Sequence, residues 1–205
     1  MKRILCFGDS NTWGWDAVAF GRFDEEHRWT RLLAKRLGAD YEVIEEGLCG
    51  RTTVFDDPIN IGMNGIKYLT PCLQSQGPFD TMILMLGTND TKQRFSATPK
   101  NIADGLTLMI RLAKSLDVWK GEPDILVVAP TPVRAGVMQT VVAGEMGEKS
   151  VEKSEQLAEF YRPAAELLGC RFLDARQCPC NEIDYMHLSA EGHRMLAEML
   201  LPLVK

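Results

Sequence analysis

The sequence has no long apolar run and no cluster of basic residues. Nowhere in its 205 residues does an apolar stretch approach the roughly 18 residues that span a membrane. The first apolar run ends at Gly8 and Asp9, which is too short for the apolar region of a signal peptide. The net charge is −5, whereas phosphate binding needs a clustered basic face. We therefore expect a cytoplasmic protein without membrane or nucleic-acid partners.

A complete metal-binding pattern is also lacking, although the chain has 6 cysteines. Cys178 and Cys180 are separated by one residue, and no second cysteine pair or nearby histidine completes a zinc site. Without a secretion signal the thiols are expected to be reduced, and several of them buried. We expect no metal here, and a thiol-redox or metal protein built on this pair is the lowest-ranked alternative.

What the sequence does contain is an alternation of apolar strands and amphipathic helices. The composition, 45% hydrophobic and 25% charged, is average for a soluble globular protein. No internal repeat or linker divides the chain, so a single domain over residues 1–205 is expected. The helical connections are long enough for right-handed parallel crossovers, which predicts a three-layer α/β/α sandwich around one roughly five-stranded parallel sheet. Strands are predicted at 4–7, 41–45, 80–86, 124–129 and 170–174, and helices at 29–37, near 69–73, and at 98–116, 152–168 and 189–204.

Polar turns follow several of the predicted strands. Gly8-Asp9-Ser10 ends the first strand, Gly47 follows the second, Asn89 follows the third, and His187 lies in a loop after the last. Parallel strands end at a common edge, which is where open α/β sheets bind ligands. Taken alone, Ser10 could equally be the cap of the next helix.

A serine nucleophile needs an adjacent base, and the base needs a group that orients it. The chain has 3 histidines. His193 is in the C-terminal helix, where it is expected to face solvent or a helix contact, and His27 follows a solvated acidic run. His187 has Asp184 three residues before it, so the carboxylate can reach Nδ1 and leave Nε2 facing Ser10.

Negative charge that develops on an acyl oxygen needs hydrogen-bond donors. The Ser10 N–H, the Gly47 N–H and the Asn89 side-chain amide are the candidates, one from each of three strand-end loops. Gly47 and Asn89 could instead serve only turn geometry.

Four short sequence blocks resemble those of the SGNH (GDSL-type) hydrolases and occur in the same order. They are Gly8-Asp9-Ser10, Gly47, Gly87-Thr88-Asn89-Asp90 and Asp184-x-x-His187. A closer similarity, to the branch of short-chain aryl esterases with acyltransferase and perhydrolase activity, is found in residues 2–10, 12–15, 43–48, 51–53 and 85–92. Residues 130–182 show little of this similarity.

The resemblance implies a flavodoxin-like fold, with Ser10 as nucleophile, His187 as base and Asp184 as its orienting group. It implies an oxyanion hole from Ser10, Gly47 and Asn89, and a homo-oligomer to which residues 130–150 could contribute contacts. This chemistry requires no cofactor. The serine is not in a Gly-x-Ser-x-Gly elbow, which disfavours the α/β-hydrolase fold.

These features predict a serine esterase that acts on small-molecule esters through an acyl-enzyme. Trp13 and Trp15, with Asp9 and Asn11, are expected to line the substrate pocket, and the tryptophans to limit it to short acyl chains and to allow acyl transfer. A carbohydrate acetylesterase of the same family is the alternative within hydrolases. A non-catalytic binding module with the same fold is the alternative from another class, although no member of the catalytic set is missing.

Overall fold

A five-stranded parallel sheet forms the centre of the computed structural model, which describes all 205 residues. In chain order the elements are β1 (Lys2–Gly8), α1 (Ser10–Trp13), β2 (Trp15–Asp16), β3 (Gly21–Arg22), α2 (Trp29–Leu37), β4 (Tyr41–Gly47), α3 (Gly65–Gln76), β5 (Thr81–Met85), α4 (Pro99–Ser115), β6 (Ile125–Ala129), α5 (Ala143–Met146), α6 (Ser150–Leu167), β7 (Arg171–Asp174) and α7 (Ala190–Val204). The strands of the sheet lie in the order β4-β1-β5-β6-β7, and β2 and β3 form a separate antiparallel hairpin.

Side chains of β1 are buried on both faces of the sheet, as the continuous apolar run predicts. Leu5 and Phe7 belong to a core cluster of 24 buried residues on one face, and Ile4 and Cys6 to a cluster of 17 on the other. The first cluster contains the inner faces of α3, α4 and α6, and the second those of α2 and α7. The predicted three-layer α/β/α sandwich is confirmed.

The start of α4 follows the sequence signal. The Thr98 side chain accepts a hydrogen bond from the Asn101 N–H, the Asn101 side chain accepts in return from the Thr98 N–H, and Pro99 is the first helical residue. The short helix predicted near 69–73 is wrong in extent, because α3 runs from Gly65 to Gln76 with Pro71 inside it. Burial of Leu69 and Leu73 in the core outweighs the helix-breaking tendency of the proline.

The segment 133–150, for which the sequence shows no clear period, contains two short helical turns. One is a 3₁₀ turn at Ala135–Gln139, and the other is α5. Val133, Val137 and Met146 form a small buried cluster with Met186, the residue before His187. This region is therefore packed against the loop that carries the histidine. No helix of the protein is long and apolar enough to cross a membrane.

Candidate active site

The register of the sheet brings the polar turns to one edge. Gly8, the last residue of β1, lies beside Gly47 of β4 and beside Met85 of β5. The turns that follow these residues therefore leave the sheet side by side at its carboxyl edge, as the sequence predicts.

Ser10 is the first residue of α1, and it does not cap that helix. The N-cap is Asp9, whose side chain accepts a hydrogen bond from the Asn11 N–H at 2.9 Å. The interpretation of Ser10 as a helix cap is therefore wrong. Its hydroxyl is available for another partner, although the residue is only 5% exposed.

That partner is His187. Ser10 Oγ lies 2.7 Å from His187 Nε2, and His187 Nδ1 lies 2.8 Å from Asp184 Oδ2. The predicted division of the two ring nitrogens between the serine and the carboxylate is what the structure contains. A base within hydrogen-bond reach of a hydroxyl, itself oriented by a carboxylate, is the arrangement that activates a serine nucleophile.

The Asp184 carboxylate is held in its ionised form. Burial opposes ionisation, but the hydrogen bond and charge of His187, with backbone N–H groups, outweigh burial and lower the pKa of Asp184 to about 2. Its Oδ1 accepts from the N–H groups of Met186 and His187, both at 3.0 Å. Asp184 is therefore an anion throughout the neutral range.

Asn181 holds the loop of Asp184 and His187 in place and was not predicted from the sequence. Its Oδ1 accepts from the N–H groups of Ile183 and Asp184, and its Nδ2 donates to Asp184 Oδ1 at 3.0 Å and to the His187 carbonyl at 2.9 Å. The bond from the Ile183 N–H, two residues on, forms an Asx turn, and an asparagine in a loop is the sequence signal for such a turn.

Position 47 requires a glycine, because the backbone of β4 approaches the backbone of α1 closely here. A Cβ at this position would lie 2.1 Å from the Trp13 nitrogen of α1. The Leu48 N–H donates to the Gly8 carbonyl of β1. Because alternate residues of a strand point their N–H groups to the same neighbouring strand, the N–H of Gly47, one residue earlier, faces away from β1. This N–H is thus not used by the sheet.

Asn89 follows β5 in a 3₁₀ turn and is 3% exposed. Its Nδ2 donates to the Arg51 carbonyl at 3.2 Å, which leaves the second amide proton free for another acceptor. Arg51 was not singled out from the sequence. Its buried guanidinium donates to the carbonyls of Gly8 and Glu46 and lies over the Phe7 ring, so it ties together the ends of β1 and β4.

Trp15 lies beside His187 of the triad, and Trp13 lies against Trp15. Their ring centroids are 6.2 Å apart, and the Trp15 ring lies 6.0 Å from that of His187. Arg22 of the hairpin packs over the Trp13 ring and donates to its carbonyl at 2.7 Å. Both tryptophans are half-buried, as residues that border a pocket would be.

Asp9 and Asn11, which are predicted to line the substrate pocket, are both buried beside Ser10. They are 1% and 2% exposed. Asp9 Oδ1 accepts from the Asn11 N–H and Asn11 Oδ1 from the Leu188 N–H, whereas Asp9 Oδ2 has no hydrogen-bond partner. Their contact with the substrate stays a prediction. Burial raises the pKa of Asp9 to about 6, and that of Asp90 to about 6 as well. Both carboxyl groups next to the site are therefore easier to protonate than ordinary aspartates.

The other two histidines take no part in the site. His27 is exposed, with Nδ1 2.6 Å from Asp24 Oδ1. His193 is fully buried, so the expectation of a solvent-facing side chain is wrong and that of a helix contact is confirmed. Its Nδ1 accepts from the Trp29 N–H of α2, and burial lowers its pKa to about 3.

The cysteines are all free thiols. Cys178 Sγ contacts Met199 Sδ at 3.8 Å, whereas Cys180 Sγ contacts Thr131 Oγ1 at 3.8 Å. Burial raises the pKa of Cys178 to about 12 and also raises that of Cys180. Neither thiol is poised as a thiolate, and no group of three or more His, Cys, Asp or Glu residues could hold a metal ion.

The α/β/α sandwich and the Ser10–His187–Asp184 geometry together define a serine hydrolase. The sequence model of the GDSL-like lipase/acylhydrolase family matches residues 6–195, and the chain belongs to that family. It is a carboxylic ester hydrolase with small-molecule ester substrates.

Solved structures agree with this assignment. The native aryl esterase of M. smegmatis is 39% identical, with a TM-score of 0.93 over 100% of this chain and 98% of that chain. Est24, a carbohydrate acetylesterase from Sinorhizobium meliloti, is 38% identical, with a TM-score of 0.92 over 100% of this chain and 98% of that chain. No curated protein matches the chain.

Proposed function

We propose that this esterase hydrolyses short-chain acyl esters, acetyl and aryl esters in particular, with Ser10 as nucleophile. The observation that carries the proposal is the hydrogen-bonded chain from Ser10 through His187 to Asp184 at the carboxyl edge of the sheet. The similarity to an aryl esterase along the whole chain supports the substrate class.

The reaction proceeds in two steps. Ser10 Oγ forms a bond to the ester carbonyl carbon while His187 Nε2 takes the hydroxyl proton. The bond to the alcohol oxygen then breaks, and His187 returns the proton to the departing alcohol. Water attacks the acyl-enzyme with His187 again as base, which releases the acid and restores the Ser10 hydroxyl. Asp184 keeps the ring oriented and stabilises the imidazolium form.

The oxyanion of each tetrahedral intermediate is bound by the N–H groups of Ser10 and Gly47 and by the Asn89 amide. Two features support this assignment: the sheet does not use the Gly47 N–H, and Asn89 keeps one amide proton after donating to Arg51. Donors fixed in a buried site stabilise developing charge without reorganising.

Acyl chain length provides the direct test of the substrate class. We expect kcat/KM for p-nitrophenyl esters to fall from the acetate to the butyrate and further to the octanoate, because Trp15, beside His187, and Trp13, against Trp15, are proposed to border the acyl site and restrict it to short chains. The measurement is initial release of p-nitrophenol at matched substrate concentrations. Equal rates for the octanoate and the acetate would contradict the proposal.

The same apolar wall predicts acyl transfer. By excluding water around the acyl-enzyme, Trp13 and Trp15 would let an alcohol compete for the acyl group. In alcohol–water mixtures we expect p-nitrophenyl acetate to yield the alcohol's acetate ester beside free acetate, at a ratio above that of the uncatalysed reaction. Chromatography of the products measures that ratio, and acetate as the sole product would refute acyl transfer.

Hydrolysis of acetylated sugars is the second candidate function, which the similarity to Est24 favours. Both functions use the same triad and differ in the alcohol part of the ester. Rates on acetylated xylose or glucose, compared with aryl acetates at equal acyl length, separate the two. The non-catalytic binding module is the interpretation that applies if no ester is turned over.

A cytoplasmic homo-oligomer is part of the same proposal. The free thiols favour a reducing compartment. The assembly is proposed from the resemblance to the short-chain aryl esterase branch, with residues 130–150 as the candidate contact segment. Light scattering tests the assembly: the mass of a single chain, 23.0 kDa, would contradict it.

A further inference from the structure

Asn11 connects the nucleophile helix to the histidine loop. It follows Ser10 in α1 and is 2% exposed. Its Oδ1 accepts from the Leu188 N–H at 2.8 Å, and its Nδ2 makes a longer contact of 3.5 Å with the Met186 carbonyl. One side chain thus contacts the residues on both sides of His187.

Asn11 is itself held rigidly. Its N–H donates to Asp9 Oδ1 at 2.9 Å, and its carbonyl accepts from Trp29 Nε1 at 3.0 Å. Trp29 is fully buried at the start of α2. A side chain anchored in this way can define where a neighbouring loop lies.

Hydrogen bonds within the histidine loop fix its shape, whereas contacts outside the loop fix its position relative to Ser10. Asn181 donates to the His187 carbonyl through both its N–H and its Nδ2, and Tyr185 adopts a left-handed conformation with φ 59°. These contacts set the shape of the loop. Outside the loop, the Arg134 N–H donates to the Tyr185 carbonyl, and Leu188 packs in the core cluster that contains Ile4 and Cys6 of β1. Apart from the Ser10–His187 bond, the hydrogen bonds between α1 and this loop are those of Asn11.

We propose that Asn11 is a positioning residue, which holds His187 Nε2 within proton-transfer distance of Ser10 Oγ. This inference rests on the proposed roles of Ser10 and His187. Because its side chain bonds to the backbone on both sides of His187, Asn11 acts through the placement of the histidine and not through contact with the substrate. The rate of the chemical steps should therefore depend on it, and substrate binding should not.

The test uses Asn11→Leu, which keeps the approximate size of the side chain and removes its polar atoms. We expect kcat for p-nitrophenyl acetate to fall at least about tenfold, since displacements near 1 Å can cost about 10²-fold, while KM stays close to the wild-type value. kcat is expressed per active site, counted by mass spectrometry after complete reaction with a fluorophosphonate. This normalisation removes any loss caused by misfolded protein.

Thr12→Val is the matched control. Thr12 is the next residue of α1, is fully buried, and has a hydroxyl without a hydrogen-bond partner. Its replacement by an isosteric apolar residue should leave kcat unchanged. If Asn11→Leu does not yield folded protein, Asn11→Ala removes the same bonds with a smaller side chain and is judged by the same criteria.

The possible results distinguish failure of the proposed role of Asn11 from failure of the proposed function. A kcat per active site equal to that of Thr12→Val, or a loss confined to KM or to the number of titratable sites, overturns the role of Asn11 alone. Full activity of Ser10→Ala would overturn the proposed function and this role with it. A fall in kcat at constant KM, together with an inactive Ser10→Ala, is the result we expect.

Discussion

Replacing Ser10 by alanine is expected to lower kcat for p-nitrophenyl acetate by about 10⁴- to 10⁶-fold. The substitution removes the atom proposed to form the acyl-enzyme, and His187 Nε2 loses the hydroxyl that lies 2.7 Å from it. The fold should persist, because Asp9 and not Ser10 caps α1. The measurement is p-nitrophenol release by the wild type and the variant side by side, with thermal unfolding to confirm that both are folded.

Ser115→Ala is the control for this experiment. Ser115 is exposed at the end of α4, and its hydroxyl donates to the Leu112 carbonyl, so its replacement should leave turnover unchanged. If folded Ser10→Ala kept the wild-type rate, another group would be the nucleophile. If neither protein turned over any ester, the binding-module interpretation would replace the esterase.

Replacing Asn89 by alanine is expected to lower kcat by about 10²- to 10³-fold, which is the usual cost of one oxyanion donor. The amide is fixed by its bond to the Arg51 carbonyl, and its remaining proton is assigned to the developing negative charge. Because that charge exists only along the reaction path, KM should change little. Steady-state kinetics with p-nitrophenyl acetate measures both constants.

Asn64→Ala distinguishes loss of a donor from loss of a buried asparagine. Asn64 is also buried, and its Nδ2 donates to the Val54 carbonyl at 2.8 Å in the loop before α3. Its replacement should lower the melting temperature and leave kcat per folded molecule unchanged. A loss below about threefold in Asn89→Ala would remove Asn89 from the oxyanion hole.

The strands and the triad geometry could be read from the sequence because their signals are local. The apolar run before Gly8 and the apolar run Thr81–Met85 predict buried strands, and parallel topology then places their following turns together. The spacing of Asp184 and His187 predicts which ring nitrogen faces Ser10, and the structure has that arrangement.

The supporting contacts could not be read in this way, because they depend on distant parts of the chain. The contact of Asn11 with the histidine loop depends on Leu188, which lies at the other end of the sequence. His193 was not recognised as buried, since that follows from the packing of α7 on α2. Arg51 gains its role only when β1 and β4 pair.

The separation of 177 residues between Ser10 and His187 has a consequence for synthesis on the ribosome. The nascent chain produces its serine among the first residues and the matching base almost last. On the proposed mechanism, Ser10 lacks its general base until β7 and the loop after it have joined the sheet. The proposed nucleophile is therefore made long before its base, and activity is expected only once the C-terminal part of the chain has folded.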